Sequence, residues 1–185
     1  CRGKKLNLNT KAPDHFITKW QLEEYIHSKG LMDISTILRP ASYFENFKNK
    51  IIGIDISERF FPGIVREESV WQTLSVEDVG IWSTATFNNR DRLINKSLNL
   101  AAEELSGNQM AKLLHALRGR EKTAVRYLMI PRTILELIEH DIAAMASWIE
   151  ETGYGADIRL LNQLANELNI KTTSLSSWLK DQGYT

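Results

Sequence analysis

Apolar and polar positions alternate along this chain in two distinct periods. Between about residues 15 and 29, Phe16, Leu22, Tyr25 and Ile26 recur at helical spacing, which predicts an amphipathic helix. Gly30 follows as a natural stop, since glycine enters the left-handed conformation cheaply. Ile34 to Leu38 is a short β-branched run ended by Pro40, and predicts a strand buried between layers. Ile51–Ile54 and Ser69–Ser75 are further strand candidates, separated by the Pro62-Gly63 turn signal.

From Glu77 to about Asn88 a helix is expected, its carboxylates at the positive end. Ser97 to Ala101 reads as a strand, Ser106 as the cap of a helix closed by Gly119, and Thr123 to Ile130 as another strand. Pro131 then opens what the helical period predicts as one long helix to Glu151, carrying Ile134, Leu137, Ile138, Ile142, Met145, Trp148 and Ile149. Two short helices close the pattern, at about 157–168 and 174–182. Strands alternating with helices, then a helix-rich end, predict part of a parallel sheet followed by a smaller α+β region.

Composition adds exclusions. The 185 residues carry 23 basic and 23 acidic side chains and no strongly basic tail, which disfavours non-specific nucleic-acid and acidic-membrane binding. No apolar run approaches the roughly 20 residues of a membrane span. Cys1 is the single cysteine, so no internal disulfide forms, which fits a reducing, cytoplasmic setting, or a nuclear one. The polar, basic opening residues have no apolar core and predict no signal peptide; they read as the continuation of a longer chain. The four histidines and one cysteine show no metal-ligand spacing, and no Gly-x-Ser-x-Gly elbow supports a serine hydrolase. His27 and His115 read as exposed helix residues, and Trp148 and Trp178 as packing for the C-terminal helices.

The candidate chemistry sits near the front. His15 and Lys19 lie four residues apart on the first helix, on one face. A lysine in a first turn opposes the helix dipole, though most such lysines are simply solvated. After the first strand come Arg39-Pro40-Ala41-Ser42-Tyr43-Phe44-Glu45-Asn46, at the end of a strand where α/β proteins bind ligands. On the residues alone Phe44 reads as core and Asn46 as a turn residue, while Arg39 suits either a phosphate or a loop carboxylate.

The run His15-x-x-x-Lys19, Glu23-Glu24-Tyr25, then Thr36-Ile37-Leu38-Arg39-Pro40-Ala41-x-Tyr43-Phe44-Glu45-Asn46 resembles the NmrA-like family of atypical short-chain dehydrogenase/reductases. The likeness continues through Leu74–Gly80, Lys96–Ala101, Glu104–Gly107, Trp148, Gly153-Tyr154, Asp157-Ile158 and Ser174-Leu175-x-x-Trp178-Leu179. It covers about residues 13 to 183, and its specificity lies in order and spacing.

The resemblance implies an α/β fold: the second half of a Rossmann NAD(P)-binding fold plus a small helix-rich α+β C-terminal region. Residues 1–50 would close the Rossmann domain, and 51–185 would form a mixed substrate or partner region with returning Rossmann elements. Lys19 then stands at the lysine of the family's Tyr-x-x-x-Lys pair, holding the nicotinamide ribose, with His15 in the tyrosine's place. An imidazole there can move a proton near neutral pH. Tyr43, Phe44, Glu45 and Asn46 match the loop that lines the nicotinamide pocket. The implied ligand is NADP or NAD, NADP foremost, with a small carbonyl or quinone substrate, a protein partner or a homodimer beside it. The two implied activities are an NAD(P)H-dependent reductase and a redox or cofactor sensor; histidine in place of tyrosine tilts toward the sensor.

Dinucleotide binding also needs a glycine-rich turn between strand and helix. The ten glycines here are scattered and form no Gly-x-x-Gly-x-x-Gly. Full cofactor binding is therefore expected to need an N-terminal half. The competing reading is a helix-turn-helix DNA-binding regulator through residues 157–182, since Leu164-Ala165-x-Glu167-Leu168-x-Ile170 and the Thr/Ser-rich segment after it have that look. Its second helix offers few groups for phosphates or base edges beyond Lys180.

Overall fold

The computed structural model of the chain describes residues 12–48, 56–57, 59–119 and 123–184. It is a mixed α/β structure that keeps much of the predicted order. Pro62 and Gly63, expected as a turn, instead pair with Leu128 and Met129 inside a strand, since that strand's backbone partner lies more than sixty positions away. Helix α1 spans Asp14–Ser28 and ends at Gly30, whose φ of 66° is the left-handed conformation expected of a stop. Strand β1 (Thr36–Pro40) lies two residues later than the apolar run suggested, and keeps Pro40 as its last member.

Three small sheets follow among the described residues. Strand β1 pairs in parallel with β5 (Lys96–Leu100), so two segments about sixty positions apart share one sheet, Leu38 opposite Leu98. Strand β2 (Ser42–Tyr43) pairs in parallel with β4 (Val70–Leu74), which also takes β6 (Glu103–Ser106) antiparallel. Strand β3 (Phe60–Gly63) pairs in parallel with β7 (Arg126–Met129). The candidate strand at Ile51–Ile54 lies outside the described residues.

Serines start the central helices. In α2 (Val76–Asn88) the Ser75 hydroxyl accepts from Glu77 N at 3.1 Å while Asp78 accepts from Ser75 N at 3.3 Å. In α4 (Gly107–Arg118) Ser106 and Gln109 exchange the same pair of bonds. Each reciprocal cap satisfies two amides that the first turn would otherwise leave open. Gly107 and Gly63 leave room for the Tyr127 ring, which lies where a Cβ on either would stand.

The long helix predicted over 131–151 is two helices. Helix α5 (Arg132–Ile138) stops at Glu139, which is extended (φ −156°, ψ 99°), and α6 (His140–Glu151) starts afresh. The break reorients the apolar stripe. Helix α6 buries Ala143, Ala146, Trp148 and Ile149, whereas α5 buries only Leu135 and leaves Ile134, Leu137 and Ile138 exposed. Helices α7 (Ile158–Glu167) and α8 (Leu175–Asp181) close the fold, with α3 (Arg90–Leu93) a short turn before β5.

Two clusters form the interior. The larger gathers Phe44, Phe47, Phe61, Trp71, Met110, Leu114, Trp148 and Trp178 around β3, β4, α4, α6 and α8. The smaller joins Leu74, Trp82, Leu100, Leu161 and Ala165 beneath β5. Trp178 packs on Phe44 and Tyr184, while Trp148 packs on Phe16 and Tyr154. Trp148 thus joins the C-terminal helices to α1 rather than only to one another. No described helix is long and apolar enough to cross a membrane.

Candidate functional site

The first turn of α1 is held against the first turn of α6. His15 Nδ1–H donates to Asp141 Oδ2, and the Asp14 amide donates to Asp141 Oδ1 at 2.7 Å. Phe16 adds edge-on contacts to Trp148 (4.8 Å) and Tyr154 (6.1 Å). Partial burial pushes the Asp141 carboxyl up, but the His15 and Asp14 hydrogen bonds outweigh it and hold its pKa below the usual range. With Nδ1 fixed on a carboxylate, His15 keeps Nε2 as the nitrogen able to exchange a proton, the orientation that an acid places on a working imidazole.

One turn further on, Lys19 is exposed and has no hydrogen bond or ion pair among the described residues. Arg39 is not free in the same sense. Its guanidinium makes a two-point contact with Glu23 of α1, Nε donating to Oε1 at 2.8 Å, and Nη1 reaches Asn99 Oδ1 at 3.3 Å. The open choice between a phosphate and a carboxylate resolves to a carboxylate, supplied by the helix. The Glu23 bonds raise the Arg39 pKa and keep it charged.

After β1 the loop divides its side chains between packing and solvent. Phe44 is fully buried against Trp178, the core position that its residue type alone suggests. Glu45 is engaged elsewhere in the fold: it accepts from Val76 N at 3.0 Å, Ser75 Oγ at 3.4 Å and Trp178 Nε1 at 3.2 Å. That places a negative charge at the N-terminus of α2. Tyr43 is half-buried, its pKa raised by burial and then by the Glu45 charge, and Asn46 is exposed. Tyr43 and Asn46 are thus the loop side chains left for a ligand.

The segment Gly153–Ala156 is held by three side chains, Ser42 at the start of this loop, Asn99 of β5 and Gln72 of β4. Tyr154 Oη and Ser42 Oγ are 2.7 Å apart, and Ser42 Oγ accepts from Trp71 Nε1 at 2.8 Å. Asn99 donates to the carbonyls of Tyr154 and Gly155, and Gln72 bonds both N and O of Ala156. Burial pushes the Tyr154 phenol up to about 12, so it stays protonated. Beside the clamp an open cleft of about 510 Å³ runs between β4 and Ile149–Asp157.

The family model of the NmrA-like family matches residues 3–179, almost the whole chain. The chain belongs to the NmrA-like family. No curated protein matches this chain. Among solved structures, an isoflavone reductase is 14% identical with a TM-score of 0.64, covering 90% of this chain and 58% of its own. NmrA, a negative transcriptional regulator, is 16% identical with a TM-score of 0.57, over 85% and 57%. A new type of NADPH-dependent quinone oxidoreductase from Escherichia coli is 16% identical with a TM-score of 0.56, over 77% and 52%. At these identities the likeness establishes the fold, which is that of NmrA-like, Rossmann-related proteins. The chain spans somewhat over half the length of these three structures.

In this NmrA-like chain, His15 and Lys19 share one helix, and Tyr43 to Asn46 share one loop after the β1–β5 sheet. Asp141 is the member that sequence reasoning missed. It lies 126 positions from His15, in the middle of the single helix that the sequence predicts from Pro131 to Glu151. Only the break at Glu139 starts a helix there. Asp78, within the family-like Leu74–Gly80 segment, does structural work. It is fully buried, caps α2, and holds Thr173 N at 3.0 Å just ahead of α8. Burial raises its pKa despite these bonds.

The helix-turn-helix reading places its recognition role on α8. There Leu175, Trp178 and Leu179 are buried against the larger core, and Glu103 fixes the Leu175 amide at 2.9 Å. The helix is used for packing, which argues against base reading. His115 is half-buried rather than exposed, and its Nδ1 has no hydrogen-bond partner among the described residues. No metal-ligating group of three or more side chains occurs among the described residues.

Proposed function

We propose that this NmrA-like chain forms the nicotinamide-end half of an NAD(P)H site and works as a reductase of a small carbonyl or quinone-like substrate. The observation that carries this reading is the His15–Asp141 pair with an exposed lysine one turn away that makes no ion pair among the described residues. Those groups suit the expected ligand: an ammonium for ribose hydroxyls, and an oriented imidazole for a proton. When bound, the dinucleotide supplies a hydride. Lys19 would hold the ribose and Tyr43 and Asn46 the ring and its carboxamide, with Phe44 and Glu45 holding the loop in place. His15 Nε2 delivers the proton that the reduced substrate oxygen needs, and Asp141 keeps the ring in the required tautomer.

The pyrophosphate is left to another part of the site, since the sequence holds no glycine-rich phosphate turn. NADP is the cofactor we favour over NAD, and the setting we expect is cytoplasmic.

A second reading, a redox or cofactor sensor, has one observation in its favour. Glu45 bonds both the start of α2 and Trp178 of α8, a contact through which a change in the loop would reach the C-terminal helices. NADPH oxidation by the whole protein, with a panel of carbonyls and quinones, separates the two. The reductase reading expects turnover, lowered about 10²–10⁴-fold by His15→Asn and impaired by Lys19→Ala. NADPH binding with no turnover on any substrate would establish the sensor instead.

A further inference from the structure

We infer that Arg39 is a positioning residue for the proposed dinucleotide site: its grip on Glu23 fixes the stretch of α1 that carries Lys19. This rests on the proposed NAD(P)H site, and gives Arg39 a part in it without contact with the ligand.

The spacing on α1 is the first observation. His15, Lys19 and Glu23 follow at four-residue steps, so the three lie along one side of the helix. The outer two are anchored to different parts of the fold. His15 is bonded to Asp141 of α6, and Glu23 receives a two-point contact from Arg39 of β1, with Nε donating to Oε1 at 2.8 Å. Lys19 stands between these anchors, about one turn from each.

The second observation is the footing of Arg39 itself. Arg39 and Asn99 are register partners of β1 and β5. Arg39 Nη1 donates to Asn99 Oδ1 at 3.3 Å, and Asn99 Nδ2 donates to the carbonyls of Tyr154 (3.4 Å) and Gly155 (3.3 Å). An amide that accepts through its oxygen has only its nitrogen left to donate, so the three bonds agree on one orientation of Asn99. The guanidinium is thereby bolted to the sheet and to the segment that follows α6. Hydrogen bonds and helices close a ring from α1 through α6, Tyr154–Gly155, Asn99 and Arg39 back to Glu23.

The third is burial. The Glu23 side chain is 16% exposed and that of Arg39 37%, so the pair is sheltered more than an ordinary surface contact. A phosphate would have to displace this half-buried carboxylate to reach the guanidinium. A lysine at position 39 would present a single ammonium, which cannot match both Glu23 oxygens and still reach Asn99.

Fluorescence titration of NADPH into the whole protein, with urea unfolding of each variant to establish that it is folded, tests the inference. Arg39→Lys should weaken binding about three- to tenfold at unchanged stoichiometry. Glu23→Gln should do the same, and the double variant should be no weaker than either single one, because both changes break one contact. Should Arg39→Lys fail to fold, the isosteric Glu23→Gln carries the same prediction. Unchanged affinity in these variants, or fewer binding-competent molecules at an unchanged Kd, would overturn the inference and leave Arg39 a merely structural role. Tighter binding by Glu23→Gln would overturn it too, marking Arg39 as a phosphate ligand freed from its carboxylate, as would losses that simply add. Any of these results beside binding that Lys19→Ala weakens would leave the proposed site standing. Binding indifferent to Lys19→Ala would sink that site, and the inference with it.

Discussion

Helices α1 and α6 meet at their first turns, yet they live in different surroundings. Of the twelve residues in α6, Ala143, Ala146, Trp148 and Ile149 are buried. Of the fifteen in α1, none is. Both carry apolar side chains at helical spacing, so amphipathic patterning alone does not tell a finished interface from an open one. The difference teaches where this fold is closed on itself and where it is not. The side built from β3, β4, α4, α6 and α8 shares one aromatic-rich cluster, which α1 touches through Phe16, Ile17 and the Asp141 contact.

The contrast breaks most sharply in the closed region. Trp178→Ala removes a side chain packed on Phe44 and Tyr184 and takes one of three donors from Glu45, and should cost about 3–5 kcal/mol in urea unfolding. Leu22→Ala in the same protein should change stability by no more than about 0.5 kcal/mol. A loss above 2 kcal/mol for Leu22→Ala would mean that α1 is packed after all. Gly107→Ala should follow Trp178→Ala, at about 1–3 kcal/mol, because the new methyl meets the Tyr127 ring.

Asp78→Ala should cost about 1–3 kcal/mol by orphaning the amides of Ser75 and Thr173, with thermal unfolding as the readout. Asp78 and Asp141 also respond to acid with opposite signs. The Asp78 pKa is raised in the fold, so its contribution is greatest below the ordinary carboxylate range and declines as pH rises through the folded value. The Asp141 pKa is lowered, so its contribution is present above that range and is lost as pH falls through the depressed value. Asp141→Asn should therefore flatten the loss of stability below the usual carboxylate pKa, by no more than about 1 kcal/mol for so accessible a pair. An unchanged acid limb would show that the His15–Asp141 contact is not maintained in solution.

Much of the fold was legible in the chain because local chemistry reports it directly. Gly30 stops α1, Ser106 starts α4, the Glu77 and Asp78 carboxylates mark the first turn of α2, and a β-branched run marks β1, whereas Ser75 as the α2 cap was not read. The split at Glu139 was not legible. Ile134, Leu137 and Ile138 continue the same helical period as Ile142 and Met145, and no proline or glycine marks the change of direction. The split has consequences, since it turns three apolar residues outward and puts Asp141 in a first turn facing His15. The site was legible only in its sequential parts. His15, Lys19 and the Tyr43–Asn46 loop lie close along the chain, whereas the Asp141 contact and the hold of Glu23 on Arg39 are tertiary. Residue type likewise could not show that Glu45 serves the α2 N-terminus.

The central claim is that Lys19 and the His15–Asp141 pair make up half of a dinucleotide site. Calorimetric titration of NADPH into the whole protein, unaltered and as Lys19→Ala and His15→Asn, tests it most directly. The account predicts micromolar binding that Lys19→Ala weakens about tenfold or more and His15→Asn changes little. Binding indifferent to Lys19→Ala would contradict it.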